Sequence, residues 1–286
     1  MTTLFDPRAA RRFRQNRGAR AGLFFVAVAV LAAVFAPLLA PHDPNLPFKG
    51  RTLTSVGVPI GPTREFPLGA DAVGRCELSR LVYGARVSLT VAFAATALVV
   101  LVGTLLGLLA GYFGGWTDTL LMRLVDALLS FPFLLVVMVL NKLIDRPDLW
   151  VIFVVLAALA WPSMARQVRA KTLQLKELDY VAAARALGAS HARVLARHLL
   201  PNVLPLVIVI ATAQVAEMIV AESALSYLGV GVVPPSASWG SMLQQSESLT
   251  RAVPRLTLVP GLAILLTVVG FNLLGEALRD AVDPKG

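Results

Sequence analysis

Residues 87–117 read VSLTVAFAATALVVLVGTLLGLLAGYFGGWT and contain no Asp, Glu, Lys, Arg or His. A helix rises about 1.5 Å per residue, so roughly 20 apolar residues cross a hydrocarbon core of ~30 Å. Residues 21–41 and 256–275 are likewise free of charged and histidine side chains. Helices of soluble proteins average about 11–12 residues, so three runs of this kind decide for the membrane. The composition agrees, with 15% charged residues against about 25% in soluble domains. The fold class expected is an all-α membrane protein.

Working outward, six spans are predicted: 21–41, 87–112, 119–141, 149–166, 203–229 and 256–278. Gly-Tyr-Phe-Gly-Gly at 111–115 predicts a tight turn after the second. Gly103 and Gly107, four residues apart, fit close helix packing. In the third span Arg123 and Asp126 can pair at i,i+3, and Pro132 is expected to kink the helix. The organisation that follows is a basic tail (1–20), a first span with a long external loop (21–86), and a core (87–286) containing a polar loop at about 166–202.

Charge sets the orientation. The first 20 residues carry six arginines against one acid, Asp6, and residues 166–202 carry seven Lys and Arg. The apolar run after the tail is too long for a signal-peptide core and shows no small-residue cleavage site before Pro37. It is therefore an uncleaved span, with both chain ends cytoplasmic. That arrangement puts 16 of the 26 Lys and Arg inside, and long external loops weigh little in the rule.

Several functions are disfavoured. The net charge of +9 lies before and between spans, so it reads as orientation rather than a nucleic-acid surface. One cysteine, Cys76, allows no intrachain disulfide, and three histidines without H-E-x-x-H give no metal site. No G-x-x-x-x-G-K-[ST] is present, so the chain has no P-loop of its own. No Ser/His or paired-Asp motif falls within a span, so no catalytic residue is expected. An ion-coupled secondary transporter would need a titratable relay and often shows two related halves; neither is evident.

The polar loop is the informative segment. Residues 165–202 read ARQVRAKTLQLKELDYVAAARALGASHARVLARHLLPN. Ala, Leu and Arg favour a helix over 177–187. Gly188 then stands where a left-handed C-terminal cap is usual. Ser190 is placed to cap a second short helix, with Val194, Leu195, His198 and Leu199 on one side. Pro201 and Pro205 are expected to end that helix and begin the next span. Two short helices outside the membrane either dock in a partner's groove or merely form a solvated connector.

This run resembles the EAA loop of bacterial ABC importer permeases: E-A-A, three residues, G, nine residues, I-x-L-P. The pattern falls on Ala182, Ala183, Ala184, Gly188, His198, Leu200 and Pro201. Further stretches are similar to the C-type subunit of the dipeptide/oligopeptide/nickel permease family: PLGADAVGRCELSRLVYGARVSLT (67–90), LLGLLAGYFGGWTDTLLMRLVDALLSFPFLL (105–135), WPSMARQVRA (161–170), AESALSYLGVGVVPPSASWGSML (221–243) and NLLGEALRDAVDP (272–284). The resemblance covers nearly all the chain from about residue 20. It departs at Ala182, where the pattern has glutamate, and at Cys76, where the family usually has an acid.

The resemblance implies the six-helix type I importer permease architecture. It implies an ATPase-coupling loop comprising Tyr180, Ala182, Ala183, Ala184, Arg185, Gly188, Ala189, His198, Leu200 and Pro201. It also implies partners: a homologous B-type permease, two cytoplasmic ATPases that bind the ATP and Mg, and an external solute-binding protein, all at the bacterial inner membrane and its lipid. No cofactor is expected in this chain. Peptides are the cargo expected, with nickel, glutathione or another small solute as alternatives. Asp126, Glu217 and Glu222 are pathway candidates, since charges at membrane depth face a cavity or a partner; each also has a structural alternative. Cys76, placed outside, is expected to react with an impermeant thiol reagent if it is accessible.

Overall fold

The computed structural model describes residue 13 and residues 15–143 and 149–282. Four arginines of the basic tail (Arg8, Arg11, Arg12 and Arg14), the short loop 144–148 and Lys285 lie outside the described residues. The elements in chain order are α1 (Arg17–Val34), α2 (Ala36–Leu39), α3 (Lys49–Thr52), α4 (Glu77–Phe113), α5 (Gly115–Leu129), α6 (Phe133–Leu143), α7 (Leu149–Lys176), α8 (Asp179–Ala186), α9 (His191–Arg193), a π-helical segment (Val194–Leu199), α10 (Leu200–Tyr227), α11 (Trp239–Ser246) and α12 (Arg255–Val282). Among the described residues there is no β-strand, only two isolated bridges. Five helices are long and apolar enough to cross a membrane: α1, α4, α7, the continuous run His191–Tyr227, and α12.

Glycine sets the helix packing. Gly103, Gly107 and Gly111 of α4 lie against α7. A Cβ added at Gly107 would meet the Ala165 carbonyl oxygen at 2.6 Å, one at Gly111 the Arg169 carbonyl at 2.9 Å, and one at Gly103 the Met164 side chain at 2.6 Å. The expectation for Gly103 and Gly107 holds, and Gly111 extends the seam to the end of α4. A second seam joins α1 to α12, where a Cβ at Gly22 would stand 2.7 Å from the Gly270 carbonyl. Asn16 caps α1 by accepting from the backbone N–H of Gly18 at 2.8 Å and Ala19 at 3.3 Å.

Gly114 and Gly115 adopt φ of +65° and +52°, making the predicted turn that folds α5 back. The third predicted span, 119–141, is not one kinked helix. α5 stops at Leu129 and α6 begins at Phe133, because Pro132 has no N–H to continue the ladder and disfavours helical backbone at Phe131. The predicted Arg123–Asp126 pair is also replaced. Asp126 accepts from Arg166 of α7 at 2.6 Å, and one turn of sequence further along α7, Arg169 chelates Asp118 through both carboxylate oxygens. These two rungs tie α5 to α7.

Pro201 and Pro205 do not end the loop helix. Helical backbone runs unbroken from His191 to Tyr227, and the carbonyls orphaned by the two prolines fall around the π segment. Asn202 adds a side-chain amide hydrogen bond to the His198 carbonyl at 2.7 Å. A widened π turn absorbs the steric cost that would otherwise break the helix.

The long loop 40–76 is pinned down. Asp71 accepts from Arg75 Nε at 2.6 Å and Arg80 Nε at 3.2 Å, and all three side chains are buried. Arg75 also donates to Gln245, and Arg255 at the head of α12 donates to the carbonyls of Leu68 at 2.6 Å, Ala70 at 3.2 Å, and Ile60. Cys76 heads α4 without a side-chain cap and is fully buried, so it is shielded from the thiol reagent expected to reach it.

Gly107→Leu is expected to drive side-chain atoms into the α7 backbone, costing about 1–3 kcal/mol or more. Gly261→Ala, where an added Cβ meets nothing within 4 Å, is expected to be neutral. Thermal unfolding of the two variants in detergent, followed by loss of monodisperse protein, checks the contrast.

Candidate functional site

The polar loop has a buried base and an exposed tip. α8 ends in a Schellman cap: the Ala189 N–H reaches the Ala184 carbonyl at 3.0 Å, and the Gly188 N–H reaches that of Arg185 at 2.9 Å. Gly188 takes φ of +81°, a left-handed backbone that glycine adopts without cost. Ser190 accepts from the Arg193 N–H at 3.4 Å and caps α9. Both capping expectations from the sequence are met.

Val181, Val194 and Leu199 are fully buried, and they pack in one apolar cluster with Leu108, Tyr112 and Val168. The inward residues of the loop are therefore seated on the C-terminal ends of α4 and α7. Among the residues matching the EAA pattern and its neighbours, Tyr180, Ala182, Ala183, Arg185, Gly188 and Pro201 are exposed, whereas Ala184, Ala189, His198 and Leu200 are half-buried. Leu187, at the apex, is 89% exposed. Ala182 presents a methyl group where the pattern has glutamate, and Glu177 and Asp179 are exposed nearby. Partial desolvation pushes the Tyr180 phenol above its ordinary value.

One contact set was missed by sequence. Tyr112, in the last turn of α4, has its hydroxyl 2.8 Å from His191 Nδ1 in a hydrogen bond. The Arg185 guanidinium sits 5.0 Å from the centre of the Tyr112 ring, and Phe113 packs at a tilt on His191. α8 and α9 thus share one aromatic hub on α4. The only signal was Tyr-Phe inside a glycine-rich turn, which reads as punctuation.

The three pathway candidates part company. Glu217 lines a groove of about 580 Å³ between α6, α7, α10 and α12. Glu222 faces away from that groove and is fully buried, accepting from Ser88 at 2.9 Å and Ser226 at 2.7 Å. Those serines in turn accept the backbone N–H of Trp239 at 3.2 Å and Val232 at 3.0 Å, so Glu222 anchors the 228–239 segment to α4 and α10. Asp126 lies exposed in its pair with Arg166.

Long apolar helices, glycine seams and a polar loop seated on helix ends define a multi-pass membrane protein. The chain belongs to the family described as binding-protein-dependent transport system inner membrane component, which matches residues 103–285, and residues 7–53 match the N-terminal transmembrane domain of oligopeptide transport permease C. It is 38% identical over 280 residues to a putative peptide permease protein of Brucella ovis, covering 97% of this chain and 90% of that one. It is 37% identical over 273 residues to the dipeptide transport system permease protein of Haemophilus influenzae, covering 96% and 92%. It is 38% identical over 276 residues to the glutathione transport system permease protein of Pectobacterium atrosepticum, covering 96% and 89%.

Tyr112→Phe removes the hydroxyl and keeps the ring, and is expected to cost about 1 kcal/mol. Tyr112→Ala also removes the packing and is expected to cost about 3–5 kcal/mol. Amide hydrogen exchange over 179–193 should rise slightly in the first variant and strongly in the second.

Proposed function

We propose that this chain is one of two permease subunits of an ATP-driven importer of peptides, and that the 166–202 loop is where its motor grips. The observation that carries this is the loop itself: a rigidly capped pair of short helices with a buried base and an exposed apolar apex at Leu187. Such a surface suits docking in a groove on another protein. The chain lacks the P-loop signature, so ATP and Mg are bound by two separate cytoplasmic ATPases. A B-type permease completes the pathway, and an external solute-binding protein delivers cargo.

Peptide cargo is supported by the names of relatives that match 96–97% of this chain. One relative named for glutathione is equally similar, and glutathione, itself a small peptide, is the second reading. α5 and α6 together make one crossing, giving six in all with both chain ends cytoplasmic. In domain terms, 1–20 is the cytoplasmic tail, 21–86 the first span and external loop, and 87–286 the permease core.

The mechanism is alternating access. Closure of the ATPase pair on nucleotide moves α8, and the base of the loop passes that motion to α4 and α7. Tyr180, Ala182, Ala183 and Arg185 form the gripping face. Gly188, Ala189 and the His198–Leu200–Pro201 junction hold the angle between the loop helices.

Gly188→Leu tests this. A Cβ there meets open space, so the damage is confined to the backbone, about 1–2 kcal/mol for an L-residue in left-handed geometry. In the assembled complex, import and its stimulation of ATP hydrolysis are expected to fall several-fold while membrane insertion survives. Import at the wild-type rate contradicts the proposal.

A further inference from the structure

We infer that the groove lined by Glu217 is a transit site for the free amino terminus of a peptide, with the Glu217 carboxylate as its counter-ion. This rests on the peptide-permease proposal and specifies which end of the cargo the permease reads. The groove volume of about 580 Å³ falls within the range of about 300–1,000 Å³ usual for small-molecule sites. Its walls are mostly apolar, from Phe133, Leu159, Ala221 and Val268 among others, and Glu217 is the one charged residue among the described residues that line it.

The placement is informative. Ala213 and Ala224 both line the groove, so it follows α10 over ~16 Å at 1.5 Å per residue. It therefore runs along the span and is not a shallow surface dimple. Glu217 is held rather than loose: Gln214, itself buried, donates its side-chain amide to Oε2 at 3.1 Å. Among the described residues Oε1 carries no hydrogen bond, which leaves it for a ligand. Ser163 and Asn272 supply a hydroxyl and an amide on the facing helices, suited to a peptide's own amide groups.

Electrostatics then orients the cargo. Glu217 is exposed toward the groove, where a carboxylate beside apolar walls attracts a cation more strongly than it would in bulk water, and no lining residue offers a positive charge among the described residues. An ammonium is favoured at Glu217, and the peptide's carboxylate is driven to the other end of the groove. Gln214 already satisfies one oxygen, which weakens the site and suits a pathway, since a transit site must release what it admits.

The test uses the complete membrane complex in nanodiscs with Ala213→Cys, which places a thiol one turn from Glu217 on the same helix face. Cys76 is buried and does not compete. Labelling by the cationic 2-aminoethyl methanethiosulfonate is compared with the anionic 2-sulfonatoethyl reagent, each normalised to a free thiol. The cationic reagent is expected to be favoured about tenfold, and adding Glu217→Gln should abolish that preference. An unmodified dipeptide should slow labelling, and its N-acetyl derivative should not. An unchanged charge preference in the Glu217→Gln background, equal protection by the two peptides, or a thiol that never labels because another subunit fills the groove each overturns the amine site. Dipeptide import by the wild-type complex is measured in parallel: import with any of those results leaves the peptide-permease proposal standing, and absent import overturns that proposal instead.

Discussion

The close contact of α4 with α7 is the constraint on which the rest of the structure depends. Inside a bilayer, lipid is as apolar as the helices, so association relies on near-contact packing rather than on the hydrophobic effect. Gly103, Gly107 and Gly111 remove the side chains that would hold the two backbones apart. The seam ends beside Thr172, and the next residue on α4, Tyr112, is the hub that meets the polar loop. What fixes the helices thus also fixes where the loop stands. The α5 rungs, Asp118–Arg169 and Asp126–Arg166, add charge pairing to the outside of the same helix α7.

At the other end of α4 the method of attachment is polar. α4 spans 37 residues, ~55 Å at helical rise, so it overshoots a hydrocarbon core of ~30 Å. The overshoot carries Glu77 and Arg80 into the buried cluster with Asp71, Arg75 and Gln245, and Ser88 reaches Glu222. Buried charges are tolerable when paired and hydrogen-bonded, and here Arg75 and Arg80 share the Asp71 carboxylate and the Gln245 side-chain oxygen, while Arg80 also reaches the Pro44 carbonyl. The result is a polar cap made of loop 40–76, α11 and the head of α12, set on the same helix that carries the 166–202 loop at its other end. Both ends of α4 therefore bear the polar, non-spanning parts of the chain.

Local signals were legible in the sequence and long-range ones were not. Gly188, Ser190 and the Gly114–Gly115 turn depend on backbone preferences of neighbouring residues, so spacing alone located them. The apolar runs located five long helices for the same reason. Asp126 was matched to Arg123 because i,i+3 is the only pairing a linear reading offers; its partner is forty positions away on another helix. Arg75, Arg80 and Arg255 look like ordinary external charges until the fold brings them under loop 40–76. Pro132 and Pro201 show the limit of a residue rule: the first breaks a helix, while the second sits in one that widens to keep it. Of the pathway candidates, nothing in the sequence separated groove-lining Glu217 from buried Glu222, since both are single acids in the same helix.

The account holds that the loop and α4 move as one body, with force entering at α8 and leaving through the α4–α7 pair. Pulsed electron paramagnetic resonance between spin labels at Leu105→Cys on α4 and Ala192→Cys on the loop measures this directly, because both positions are exposed and the native thiol is buried. In the assembled complex the distance distribution should be the same without nucleotide and with ATP trapped, to within the width of a single peak. A shift of several ångströms, or a second peak on ATP binding, would mean that the loop pivots on the helix ends instead of driving them.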